Sequence, residues 1–246
     1  MSLYKTTGLV IKRTNLGEAD RIITFITADY GKLKAVARGV RKINSKQAGH
    51  LEIFSVAQLM LAKGKNLDII TSARLKLYLN NILEDYQKLP LAYLFIEMID
   101  KLTVEENPQP QLYKLIIGAL KYLNKNPAVP LLELYFKLKL IDTLGYKPEL
   151  KNCVICHKKI ESKQICYFNC EHGGVVHHDC SNQNDLATNW LELELWEHIF
   201  QASSIKFIEK MKDANKIAES SLKIYKNFYK EVFNYDFKSK KILWTD

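Results

Sequence analysis

Five cysteines fall between residues 153 and 180 of a 246-residue chain, and four of its six histidines lie among them. Cys153-Val-Ile-Cys156 is a knuckle with a two-residue gap. His177-His178-Asp179-Cys180 offers a second pair at the same gap, twenty residues later. Short loops of this kind turn two side chains toward one point, and two of them surround a zinc ion tetrahedrally. Gly173-Gly174, just ahead of the second pair, permits the tight turn. His177 keeps the two-residue gap to Cys180, whereas His178 leaves one residue. Cys170 is the strongest substitute, and Cys166, His157 and His172 are also near enough in sequence to replace a ligand. A set of free thiols in a reducing compartment is the competing reading. Four protein ligands leave no position for water, so Cys153, Cys156, His177 and Cys180 predict one structural zinc ion per chain rather than a catalytic one.

A second chemistry lies in the cations. Residues 1–80 hold fourteen Lys/Arg against five Asp/Glu, while residues 81–246 hold twenty-two of each. The whole formal excess of +9 therefore sits in the first third, where a polyanion is the natural partner and nucleic acid the leading one. A solubility charge is the plainer explanation. On a strand, Lys32, Lys34 and Arg38 share a face with Val36, and Leu33, Ala35 and Ala37 share the other. Arg41, Lys42 and Lys46 continue the run, and no acid intervenes between Asp29 and Glu52. Several cations along a track suit a phosphate backbone. Lys12, Arg13 and Arg21 extend the track from neighbouring strands. Tyr4, Phe25, Tyr30 and Phe54 are candidates to stack on bases, though a residue of this kind is more often barrel core.

No phosphate-binding loop, dinucleotide fingerprint, zinc-protease helix or nucleophile elbow occurs. Gly31-Lys32 and Gly64-Lys65 lack the flanking residues of a phosphate loop, and Glu105-Glu106 reads as a solvated helix end. The reading is a binding protein, not an enzyme. No apolar stretch reaches membrane length, and the first twenty residues lack a secretory apolar core, so a cytoplasmic address without membrane contact is expected.

These residues must be held by two kinds of element. Gly8–Arg13, Arg21–Thr27, Lys32–Arg38, Ser55–Leu61 and Leu67–Ala73 carry strand patterns separated by turn residues. Five short strands suggest a small barrel, of which the OB-fold binds oligonucleotides, with an SH3-like barrel open on pattern alone. From about Asn81 the period becomes helical, over Leu83–Val104, Gln111–Asn124, Leu131–Leu144, Leu191–Ala202 and Lys216–Tyr235. The last carries an aromatic stripe of Tyr225, Phe228, Tyr229 and Phe233 that fits core packing better than a partner groove. The expectation is an α+β, two-domain protein. Residues 1–80 form a five-stranded OB-fold β-barrel, and residues 81–246 form an α-helical domain with an embedded zinc-finger-like module at 151–182.

The opening TTGLVIKRTNLGEADRIITFITADYGKLKAVARGVRKINSK resembles the RecO family pattern. That pattern runs apolar strand, turn ending in Glu-x-Asp, apolar strand ending in Thr, Gly, then a strand ending at a Gly-basic-basic corner. FKLKLIDTLGYKPELKNCVIC matches too, with helix, Leu-Gly, Pro and the cysteine knuckle in family order. The likeness covers nearly the whole chain and weakens after about residue 183. One departure is His177, where zinc-carrying members usually have cysteine. The resemblance implies an OB-fold, a helical domain with the zinc module, and the ligand set Cys153, Cys156, His177 and Cys180. It also implies binding to single- and double-stranded DNA, strand annealing, and association with RecR and with the C-terminal tail of single-strand-binding protein. Together these help load RecA, in a bacterial, nucleoid-associated setting. An RNA-binding zinc protein of translation or ribosome assembly is the rival, and a zinc hydrolase or nuclease a more distant one.

Overall fold

The computed structural model describes residues 2–161, 165–207, 210–211, 213–235 and 237, with Phe207 by its backbone alone. Residues 162–164 of the expected zinc module lie outside the described residues. The chain forms two compact units, Met1–Pro127 with Phe237 in the first and Ala128–Asp236 in the second.

The first unit opens with β1 (Leu3–Leu16), β2 (Asp20–Thr27), β3 (Gly31–Ala37), β4 (Ser55–Ala62) and β5 (Asp68–Tyr78). They close into a barrel in the order β1-β2-β3-β5-β4, the OB-fold arrangement. Strand β1 is longer than its apolar run because it serves both edges. Its first half pairs with β4 and its second half with β2, and Gly8 and Leu9 are paired on both sides. A register shift between Val10 and Lys12 bends the strand between the two tasks. Phe25, Leu33, Ala35, Leu59 and Leu61 fill the interior, with Val40 and Leu51 from the β3–β4 connection. The period-2 alternation of β3 is realised for Leu33, Ala35 and Ala37.

The outward face of β3 differs from expectation. The strand meets β5 only at Ala35–Asp68 and Val36–Ile69, in parallel, so its first half has an open edge. The segment after α2 fills that edge. Lys32 bridges to Glu105, and the Glu106 amide donates to the Lys32 carbonyl at 3.0 Å. Gly31, at φ +66°, makes the approach possible, because a Cβ there would lie 2.1 Å from the Asn107 carbonyl oxygen. Glu105-Glu106 is therefore not a free helix end. An unpaired strand edge is a costly exposure, and this covering removes it.

Three helices complete the unit: α1 (Asn80–Leu83), α2 (Lys88–Leu102) and α3 (Pro110–Lys125). Helix α2 packs on β1 and on α3, and α3 touches β2. Phe54, fully buried, meets the Tyr93 ring of α2 edge-on at 5.3 Å. The change from strand to helix falls between Tyr78 and Asn80, yet the compact unit continues to Pro127.

The second unit contains α4 (Pro130–Thr143), β6 (Cys166–Asn169), β7 (Gly174–His177), β8 (Leu186–Thr188), α5 (Trp190–Gln201) and α6 (Ala214–Phe233). Helix α4 is buried at ten of its fourteen residues, which makes it the centre of the unit, with α5 and α6 against it. Tyr225, Phe228 and Tyr229 of α6 are buried, so the aromatic stripe is core. The insert is more ordered than a ligand loop: β7-β6-β8 form a three-stranded sheet. Phe168 of β6 locks it down, its ring 5.5 Å from Trp196 and 5.4 Å from Phe228. Among the described residues no helix is long and apolar enough to cross a membrane.

Candidate metal centre and nucleic-acid face

The Cys153–Cys156 knuckle is shaped by its own backbone. The His157 amide donates to the Cys153 carbonyl and the Cys153 amide to the Lys158 carbonyl, both at 2.9 Å. The Val154 amide then donates to the Val175 carbonyl at 2.9 Å, which ties the knuckle to β7. Gly173 turns the chain at φ +67°, and a Cβ on Gly174 would lie 2.5 Å from Val154 Cγ1 and 2.7 Å from the Glu149 carbonyl oxygen. The glycine pair thus supplies both a turn and a close approach. His177 ends β7, and the short 3₁₀ turn His178–Cys180 brings Cys180 back toward it.

One ligand atom from each of Cys153, Cys156, His177 and Cys180 lies within 4.8 Å of all the others. Cys156 Sγ is 3.4 Å from His177 Nδ1. Zinc–sulfur and zinc–nitrogen bonds at tetrahedral angles require an edge of about 3.6 Å, so the donor set fits a tetrahedral ion. His177 Nε2 sits 3.3 Å from the Lys159 carbonyl oxygen, which only accepts hydrogen bonds. That interaction keeps the proton on Nε2 and turns the Nδ1 lone pair to the sulfurs, the usual outer support of a histidine ligand. Burial disfavours ionising Cys153, but amide donors from Cys156, His177 and Ile155 outweigh it and bring the thiol down to about 6. Cys180 is pushed up to about 11, by desolvation first and then by hydrogen bonding and charge at Cys156 and Cys153. A metal ion takes cysteine as thiolate and itself favours loss of the thiol proton.

Among the described residues the alternative ligands fall outside this group of four. Cys166 is buried opposite His177 in the sheet, and burial, then Glu192, raises its thiol. Cys170 is raised to about 11 by burial and then by Glu231 and Asp185. His178 lies against the Tyr167 ring at 5.8 Å, and the His172 amide donates to the Asn169 side chain at 2.7 Å.

The nine expected cations separate into two groups. Lys32 is buried at 7% exposure, not displayed; its Nζ donates to the Asp100 carbonyl at 2.5 Å and lies 3.6 Å from the Asp100 carboxylate. Lys12 reaches the same carboxylate at 3.8 Å, Lys34 pairs with Glu105, and Arg13 pairs with Glu52. The expected row of three cations on β3 is thus largely neutralised by the segment that covers its edge. Arg21, Arg38, Arg41, Lys42 and Lys46 make no ion pair with a carboxylate among the described residues. Arg38, Arg41, Lys42 and Lys46 follow one another from the end of β3 into its connection to β4. Arg21 pairs in register with Ala37, next to Arg38, and the Arg41 guanidinium donates to the Gly17 carbonyl in the β1–β2 turn at 2.8 Å.

Of the proposed base-stacking residues, Phe25 is fully buried in the barrel and Phe54 is fully buried against Tyr93 of α2. Tyr4 and Tyr30 pack together, ring centroids 4.9 Å apart, and the Tyr4 hydroxyl donates to Asp68. Burial, then Asp68, raises that hydroxyl well above its usual range. Asp100 escaped the sequence reading, where the signal available was an acid interrupting the apolar run of α2; Glu105 was read there only as part of a solvated helix end.

Two family models match the chain. One, described as recombination protein O N terminal, covers residues 1–78; the other, recombination protein O C terminal, covers residues 83–241. Among curated proteins, the chain is similar to the DNA repair protein RecO of Dehalococcoides mccartyi. Identity is 32% over 245 residues, covering 99% of this chain and 95% of that protein. It is also similar to the proteins of the same name from Roseiflexus sp. (35%, covering 75% of this chain and 65% of that one) and Bifidobacterium adolescentis (37%, covering 72% and 73%).

Proposed function

The chain belongs to the RecO family, and on that premise we propose that it is a DNA-binding mediator of recombinational DNA repair. It holds single- and double-stranded DNA by its phosphates, anneals strands, and with RecR helps load RecA onto DNA coated by single-strand-binding protein. No covalent chemistry is assigned to it. The observation that carries this reading is the set Arg21, Arg38, Arg41, Lys42 and Lys46 of an OB-fold barrel and its β3–β4 connection, free of carboxylate partners among the described residues. Cations spaced over two adjoining connections match successive phosphates and carry no base code, so binding is expected to be independent of sequence. Residues 81–246 are assigned the acidic, apolar-tipped tail of single-strand-binding protein, which needs an apolar pocket rimmed by cations.

The metal is proposed to be one structural zinc ion held by Cys153, Cys156, His177 and Cys180. When bound it replaces hydrophobic core in a small sheet; the chain's own part is to present three sulfurs and one imidazole already oriented by Lys159 and β7. The protein is placed in the bacterial cytoplasm, at the nucleoid. The direct test is fluorescence anisotropy with single-stranded DNA, duplex DNA and structured RNA, followed by capture of RecR and of the tail peptide. Binding that favours structured RNA over both DNA forms would overturn the proposal.

A further inference from the structure

Ile43 is the most exposed large apolar residue of the described chain, at 102% of its reference surface, and it sits in the most basic connection. The sequence there reads Arg38-Gly-Val-Arg41-Lys42-Ile43-Asn-Ser-Lys46. Its exposure does not come from a frayed loop. The Arg41 amide donates to the Ala19 carbonyl at 2.9 Å, the Lys42 amide to Gly39 at 3.1 Å and the Ser45 amide to Lys42 at 3.0 Å. The Gly39 amide is held by the Asp20 carboxylate at 2.7 Å. Val40, three residues earlier, is buried in the barrel, so the turn is built to point one aliphatic side chain in and one out. Leu16, the last residue of β1 before the adjoining β1–β2 turn, is a second exposed aliphatic side chain, at 40%.

We infer that Ile43 is a wedge that enters between neighbouring bases while Arg38, Arg41, Lys42 and Lys46 hold the flanking phosphates. This rests on the DNA-binding reading above and adds to it a distortion of the nucleic acid. The partner must offer negative charge at the rim and apolar surface at the centre within one turn's width. A nucleic acid strand does so, with phosphates outside and base faces within. Aliphatic side chains inserted at a base step unstack it, and the cost is offset by apolar burial and by a closer approach to the phosphates. Glu18 is exposed in the β1–β2 turn and works against phosphate there, while Asp20 is engaged with the Gly39 amide. The wedge therefore acts from the β3–β4 side. A strand-annealing protein gains from such a device, since bases held apart from their stacked neighbours are open to pairing.

The test uses the full chain and oligonucleotides carrying 2-aminopurine, whose fluorescence rises when it is unstacked. Wild type is expected to raise the signal on binding. Ile43→Ser is expected to bind roughly tenfold more weakly, to keep its thermal midpoint, and to lose the rise at saturating protein, with Ile43→Leu restoring it. An unchanged rise with Ile43→Ser would overturn the wedge, and so would wild-type binding with no rise; DNA binding itself would stand in both cases. Wild type that fails to bind DNA would overturn the wedge and the DNA-binding reading together. Vesicles of anionic phospholipid are the remaining arm: if Ile43→Ser abolished vesicle binding and left DNA fluorescence intact, the tip would belong to a membrane and the inference would fail.

Discussion

The Lys32 ammonium group donates a 2.5 Å hydrogen bond to the backbone carbonyl of Asp100 and lies 3.6 Å from the carboxylate of the same residue. A cation that reads as part of a DNA-binding row is instead the bolt between β3 and the end of α2. The relationship divides the basic residues of the barrel into those that hold the fold and those without a carboxylate partner among the described residues.

Lys32→Ala is expected to destabilise the protein by about 1.5–3 kcal/mol, because it removes the hydrogen bond that the ammonium donates to the Asp100 carbonyl and withdraws a nearby cation from the largely covered Asp100 carboxylate. Lys34→Ala breaks a half-exposed pair with Glu105 and should cost no more than about 1 kcal/mol. Urea unfolding of the two variants checks the contrast, and equal losses would place Lys32 on the surface after all.

Elemental analysis should find one zinc per chain. Cys153→Ser should lose it, while Cys166→Ser and Cys170→Ser should keep it. Structural zinc sites are worth about 10–16 kcal/mol of apparent binding energy, so chelation should lower the thermal midpoint and increase amide exchange in β6 and β7. A native protein fully stable without metal would contradict the assignment.

Gly174→Ala forces a methyl group against Val154 and the Glu149 carbonyl. Overpacking of this kind costs about 1–3 kcal/mol and here should displace the Cys153–Cys156 knuckle, weakening zinc retention in a chelator titration. Gly49→Ala, with nothing within 4 Å of the added carbon, is the control and should be near neutral.

A fragment of residues 1–127 is expected to fold and to bind DNA without metal. A fragment of residues 1–80 loses Asp100, Glu105 and Tyr93, which cover β3 and Phe54. Circular dichroism and a melting curve should find the shorter fragment the less stable. Equal midpoints would show that the barrel does not depend on its helices.

Much of this architecture was legible because it is local. Alternating Leu33, Ala35 and Ala37 mark an inner face by period alone, and Cys153, Cys156, His177 and Cys180 announce a metal site by gap length. The strands β6, β7 and β8 were missed because runs of three or four residues are too short to establish a period. The burial of Lys32 was illegible for a different reason. It depends on Asp100, sixty-eight residues away, and on a barrel edge that exists only once β3 and β5 have paired.

The most direct test of DNA binding by the free cations is the salt dependence of affinity for a single strand. Every cation withdrawn from a phosphate should flatten the slope of log K against log salt by about 0.7. The triple variant Arg38→Ala, Lys42→Ala, Lys46→Ala is expected to bind more weakly and to flatten the slope by about 2. The double variant Lys12→Ala, Lys34→Ala should leave the slope as in wild type, since both cations are committed to Asp100 and Glu105. A triple variant with the wild-type slope, or a double variant that flattens it as much, would place the DNA on another face and contradict the proposed interface.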